Sequence, residues 1–178
     1  PPHCLDRDGG HFSWAARFPG FSIITPDLRS TRRPDRVMDE TTHSAVDLAL
    51  RETPEGDHVL LMSSVPVLGP RLSLVERFLR WLPGLQRYED DLRDQWQSRK
   101  HREEWRRLLS LLEHVRCGAG HHVTVVSGEI HMATRATMIC KDGAVVNQLV
   151  ASGIAHPAQP QLFAYALGAL AHIGEAPL

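Results

Sequence analysis

An acidic residue and a histidine stand two positions apart, directly after a short β-branched and apolar stretch of this sequence. The stretch spans residues 122–127, and Gly128 separates it from Glu129 and His131. Residues two apart in an extended chain point the same way, so the carboxylate and the imidazole can face a common point. Such an oxygen and nitrogen pair suits Zn, Mn or Fe. Glu129 and His131 are therefore candidate metal ligands; the alternative is a surface carboxylate beside a hydrogen-bonded histidine.

A group of arginines follows another apolar stretch and is a candidate for binding a phosphoryl group. Arg29 lies nearest the end of that stretch, and Arg32 and Arg33 come shortly after it. A guanidinium matches phosphate oxygens with two parallel hydrogen bonds. The alternative is a solvated loop, or a salt bridge to Asp27 or Asp35.

Two aspartates in a helical pattern form a third candidate. Asp91 and Asp94 are three residues apart, so they share one face of a helix, and Trp96 is close by. They could line a substrate pocket or hydrogen-bond a histidine that binds a metal. Capping of the helix and ordinary surface charge are the alternative.

The spacing of apolar residues predicts the elements that must position these side chains. We expect strands over 11–18, 21–25, 58–63, 122–127, 133–140 and 144–150. The run at 58–63 is almost continuously apolar, which is typical of a strand buried on both faces. We expect helices over 39–51, 73–82 and 88–115, the last interrupted at its polar centre, and another from Pro160. Alternating strands and helices, closed by a hairpin at Asp142-Gly143, predict an α/β fold.

Composition restricts the possible partners of the chain. Its 178 residues are 42% hydrophobic and 23% charged, with a net charge of -1, which suits one domain without general attraction to nucleic acid. No apolar run reaches the roughly 18 residues of a transmembrane segment. Cys4, Cys117 and Cys140 are dispersed and lack zinc-finger spacing, which indicates reduced thiols and favours a cytoplasmic location.

Five stretches, taken in order, resemble the C-terminal half of PhoD-like alkaline phosphatases and phosphodiesterases, members of the calcineurin-like metallophosphoesterase superfamily. The resemblance extends over roughly residues 12–157. The stretches are Pro26-Asp27-Leu28-Arg29; Ser63-Ser64-Val65-Pro66; Asp90-Asp91-Leu92-Arg93-Asp94-Gln95-Trp96 leading into Arg102-Glu103-Glu104; Ser127-Gly128-Glu129-Ile130-His131; and Ala151-Ser152-Gly153-Ile154.

The resemblance implies a four-layer α-β-β-α sandwich with mixed sheets, and hydrolysis of phosphoesters by metal-activated water. It implies two divalent or trivalent metal ions, of Fe, Mn, Zn or Ca. His131 and Glu129 would be metal ligands, Asp94 a catalytic-site residue, and Arg29 and Ser64 substrate-binding residues.

The sequence departs from the family at several points. Glu129 replaces the usual Asp, and Ser64 stands where the wider superfamily often carries a histidine. The superfamily's Asp-x-His, Gly-Asp-x-x-Asp and Gly-Asn-His-Asp/Glu motifs are not found in the chain.

We therefore interpret 1–178 as a single domain that is the C-terminal portion of a PhoD-like metallophosphatase domain, inactive alone and completed by the N-terminal half of the same protein. The alternatives are a non-catalytic binding or scaffold module of the same descent, and an unrelated α/β interaction domain.

Overall fold

The computed structural model describes residues 3–69, 96–128 and 133–153, together with Tyr165 and Ala169. Two helices in these ranges are α1 (Glu40–Arg51) and α2 (Arg102–Gly118), the second preceded by a short 3-10 turn over Arg99–His101. Six strands accompany them: β1 (Trp14–Phe18), β2 (Phe21–Thr25), β3 (His58–Ser63), β4 (His122–Ser127), β5 (Thr134–Ile139) and β6 (Val145–Val150).

All six strands form one mixed sheet in the order β1-β2-β3-β4-β6-β5. The four central strands β2, β3, β4 and β6 run parallel, and the edge strands β1 and β5 are antiparallel to their neighbours. Helices connecting parallel strands within one sheet define the α/β class that the sequence predicts.

Local signals explain where these elements begin and end. Asp39 caps α1 by accepting a hydrogen bond from the backbone N–H of Thr42 at 2.9 Å. Gly143 has a φ of 82°, the left-handed conformation that lets β5 turn back into β6. Residues 96–98 form a turn and α2 begins only at Arg102, within the polar centre where the predicted 88–115 helix was expected to break. Residues 88–95 and the helices predicted over 73–82 and from Pro160 lie outside the described part, apart from Tyr165 and Ala169, which are helical.

The prediction that β3 is buried on both faces is wrong. Its inward residues, Val59 and Leu61, are fully buried in the same core cluster as residues of both helices, whereas Met62 on the other face is 42% exposed. Leu149 and Val145 of β6 are likewise exposed on that outer face. Periodicity could not reveal this, because the outer residues are as apolar as the inner ones.

The loop after β3 is buried and is fastened by three side chains from distant parts of the chain. Gln148 Oε1 accepts hydrogen bonds from the N–H groups of Val67 and Leu68, both at 2.7 Å, and its Nε2 donates to the Leu68 carbonyl at 2.6 Å. Gln97 Nε2 and Trp105 Nε1 both donate to the Val67 carbonyl, at 3.0 and 2.7 Å. The buried peptide groups of this loop are thereby satisfied.

A half-buried carboxylate joins α2 to the chain that enters α1. Glu104 accepts hydrogen bonds from the N–H groups of Val37 and Met38 at 2.8 and 2.7 Å, and lies 3.3 Å from His43 Nε2. Burial by itself would raise the pKa of Glu104, but these interactions outweigh it and lower the pKa. Within the described ranges, neither helix has the length and apolar character that a bilayer span requires.

Replacing Gln148 by leucine should destabilise the protein by about 2–4 kcal/mol, because three buried backbone groups lose their partner at about 1–3 kcal/mol each and the loop recovers part of that by relaxing. Urea denaturation followed by circular dichroism measures the change. The control is Asn147→Leu, next along β6 on the outer face, where we expect a change below about 0.5 kcal/mol. Equal effects of the two substitutions would contradict the structural role of Gln148.

Candidate functional site

The carboxyl ends of the four parallel strands line up at one edge of the sheet. Ser63 of β3 pairs in register with Ser127 of β4, which pairs in register with Val150 of β6. Strand β2 pairs with β3 up to Ile24 and ends one residue later, at Thr25. Ligands of open α/β sheets bind outside this edge. Four of the five stretches singled out in the sequence follow these four strands, so the described parts of all four begin at this carboxyl edge.

Ser64 and Gly128 lie side by side at the centre of this edge. A Cβ atom added to Gly128 would lie 3.8 Å from the carbonyl oxygen of Ser64, and both residues are exposed. Ala151, the first residue after β6, donates its N–H to the Ser127 carbonyl at 3.1 Å. The chain therefore enters the segment that carries Glu129 and His131 from a fixed and solvent-accessible position.

Three neighbouring strands end on a hydroxyl residue at this edge. Ser63 Oγ donates to the Val65 carbonyl, which fixes the start of the following loop. Among the described residues, Ser127 Oγ and Thr25 Oγ1 are buried and make no hydrogen bond. A buried hydroxyl without a partner costs free energy, and a water molecule, an ion or a ligand can supply the missing hydrogen bond. The sequence signal that could have identified them is a Ser or Thr closing each of these strands.

Asp27 shapes the loop that follows β2. Its carboxylate accepts hydrogen bonds from the N–H groups of Phe12 and Arg29, both at 2.9 Å, and from that of Ser30 at 3.0 Å. Partial burial would raise the pKa of Asp27, but these bonds and one from the Ser30 hydroxyl lower it to about 2. Asp27 is thus an ionised clamp that fixes the backbone on which Arg29 stands.

The substrate-binding residues predicted from the sequence both lie at the carboxyl edge. Arg29 is exposed, and within the described ranges its guanidinium forms no salt bridge, because the Asp27 carboxylate is occupied by backbone N–H groups. Ser64 lies on the rim beside Gly128. The predicted metal ligands Glu129 and His131 and the predicted catalytic residue Asp94 lie outside the described residues.

The fold and this edge together define an α/β protein with a mixed six-stranded sheet and a polar carboxyl edge. No protein-family model and no solved structure matches the chain. A search of curated proteins finds a similarity to the uncharacterized protein YGR266W of Saccharomyces cerevisiae, 26% identical over 154 residues. The match covers 72% of this chain and only 22% of the length of the yeast protein.

Replacing Asp27 by asparagine should lower the stability of the protein at neutral pH. Because folding lowers the pKa of Asp27 from 3.8 to about 2, its ionised form contributes stability that is complete above pH 3.8 and is lost as the pH falls towards 2. The difference in unfolding free energy between wild type and Asp27→Asn should therefore shrink as the pH falls from 5. Urea titrations across that range measure it, with Asp35→Asn, an exposed aspartate nearby, as the control. A difference that stays constant with pH would refute the clamp.

Proposed function

We propose that this chain is part of a metal-dependent phosphoester hydrolase similar to PhoD-like alkaline phosphatases and phosphodiesterases. One observation carries the proposal. Four stretches that resemble this family follow four adjacent parallel strands, and their described parts begin at the carboxyl edge of the sheet. This is the edge outside which α/β proteins bind ligands, which supports the proposal.

The metal centre would be built around the segment after β4. Glu129 and His131 supply a carboxylate and an imidazole, the donor types that Fe, Mn and Zn accept, and Gly128 leaves room beside Ser64. The hydroxyl of Ser127 at the end of β4, which makes no hydrogen bond within the described residues, is consistent with a polar ligand nearby. Metal ions held there would activate a water molecule for attack on phosphorus.

Two side chains cannot hold two metal ions by themselves. We therefore propose that the N-terminal half of the same protein supplies the remaining ligands, and that this chain contributes the phosphate-binding surface. Arg29 would bind the phosphate oxygens with its exposed guanidinium, Ser64 would line the pocket, and Asp94 would act as the catalytic-site acid.

The same proposal extends to the architecture. A sheet with parallel central strands is normally covered on both faces, yet here the outer face exposes Met62, Val145 and Leu149. A second sheet from the N-terminal half, packed on this outer face, would bury these residues and complete an α-β-β-α sandwich.

A non-catalytic binding or scaffold module derived from the same fold is the alternative function. Glu129 in place of the family's Asp moves the carboxylate oxygens by about 1 Å, enough to disturb direct metal binding. Ser64, which replaces a frequent histidine, is a poor ligand for these metals. Bound metal in stoichiometric amount, together with hydrolysis, separates the enzyme from the scaffold.

The hydrolase proposal is tested in the full-length gene product, with p-nitrophenyl phosphate and bis-p-nitrophenyl phosphate as substrates. We expect hydrolysis that stops when a chelator removes the metal, and a loss of at least about 100-fold for His131→Ala, as for the loss of a metal ligand. His122→Ala is the matched control, because His122 is exposed at the opposite end of β4. Metal content of each variant is measured by mass spectrometry.

Activity that survives both the chelator and His131→Ala would falsify the proposed metal centre. A folded full-length protein without metal or hydrolysis would support the scaffold alternative instead. Glu129→Asp restores the family residue and should keep or increase the metal content, whereas Glu129→Ala should reduce it.

Arg29→Ala should raise the KM for phosphate monoesters by about 10- to 100-fold, the value of a hydrogen bond to a charged group, with a smaller change in kcat. Arg33→Ala removes the same charge from the same loop and should leave KM unchanged. Steady-state kinetics measure KM for both variants. Equal effects of the two substitutions would show that the positive charge of the loop, and not a contact between Arg29 and the phosphate, determines KM.

A further inference from the structure

Three side chains that can bind a metal converge at the amino edge of the sheet, opposite the site described above. Cys117 lies in the last turn of α2, Cys140 directly follows β5, and Asp142 stands in the turn to β6. The two Sγ atoms and a carboxylate oxygen of Asp142 all lie within 4.8 Å of one another, and Cys117 Sγ is 3.2 Å from Asp142 Oδ1. Because 22 residues separate the two cysteines along the chain, their spacing in the sequence does not indicate that they lie together.

The backbone holds two of these groups in place. The turn between β5 and β6 is closed by a hydrogen bond from Cys140 N–H to the Ala144 carbonyl at 2.8 Å. The N–H of Ala144 donates to Asp142 Oδ1 at 2.8 Å, which orients the carboxylate. The group is therefore arranged before any ligand binds, which lowers the ordering cost of binding.

The end of α2 is tied to the same turn by contacts of its own. Glu113 accepts a hydrogen bond from the Lys141 N–H at 3.1 Å, and Arg116 Nε donates to the Val145 carbonyl at 3.3 Å. These contacts, made four residues and one residue before Cys117, fix the helix against the hairpin. A metal ion can reach the three side chains from solvent, because Cys117 and Asp142 are exposed, although Cys140 is buried.

We propose that Cys117, Cys140 and Asp142 form a binding site for one thiophilic divalent cation, with Zn²⁺ as the best fit. Two thiolates and a carboxylate match the ligand types of zinc, and three protein ligands leave a fourth position for water. Binding releases the two thiol protons to solvent. The site depends neither on the proposed hydrolase centre nor on any residue at the carboxyl edge.

A disulfide between the same cysteines is the competing use of this geometry. Forming the disulfide requires an oxidant that accepts two electrons, whereas binding a divalent cation requires only the release of the two thiol protons.

The test is titration of the reduced, metal-free full-length protein with Co²⁺, followed by competition with Zn²⁺. Thiolate-to-cobalt charge-transfer absorption should appear and saturate at one ion for this site, and Zn²⁺ should abolish it. Cys117→Ser should remove the band, and Asp142→Asn should weaken binding by at least about 10-fold. Both substitutions are on the surface, so the fold is expected to persist and is checked by circular dichroism.

Cys4→Ser is the matched control, because Cys4 pairs with Trp14 at the far side of the sheet, next to β1, and should leave the band intact. A metal at the Glu129 and His131 centre gives no thiolate band, so loss of hydrolase activity and loss of this site are separate observations. The proposal is overturned by a folded, reduced protein without the band, by a band that survives Cys117→Ser, or by a Cys117–Cys140 disulfide that forms in preference to metal binding.

Discussion

The buried N–H and C=O groups of the loop after β3 must find hydrogen-bond partners within the protein, and the rest of the structure depends on this requirement. Residues 65–68 are buried in succession, so their N–H and C=O groups need partners that water cannot supply. Gln148 reaches this loop from β6, Gln97 from the segment before α2, and Trp105 from α2 itself. One loop thereby ties the end of the sheet to the helix layer. It also fixes Ser64, and with it the space beside Gly128.

Parallel strands give the two edges of the sheet different chemistry. At the carboxyl edge, three strands end on residues whose hydroxyl groups are buried, and Asp27 fixes the loop that carries the exposed Arg29. At the amino edge, the end of α2 meets the β5–β6 turn and brings two thiols and a carboxylate together. The hard oxygen and nitrogen donors proposed for one edge and the soft sulfur donors at the other select different metals. The two proposed sites can therefore exist independently in one domain.

The two faces of the sheet differ in burial, and this difference relates the fold to the proposed function. Both helices join the inner residues in one core, whereas the outer face keeps Met62, Val145 and Leu149 exposed. A second sheet on this face would remove that apolar surface from water, at about 25 cal/mol per Å² buried. The proposed hydrolase assigns both this second sheet and the remaining metal ligands to the N-terminal half of the same protein.

The sequence by itself determined the strands, helix α1 and the β5–β6 turn, because periodicity and turn residues act over a few neighbouring positions. It also pointed to Arg29 and Ser64 beside strand ends. Only the tertiary structure decided that β3 is fully buried on one face alone, that Gln148 fastens a loop some 80 residues away in sequence, and that Cys117 meets Cys140. Those features depend on which segments pack together, and the identity of a packing partner is not encoded in local spacing.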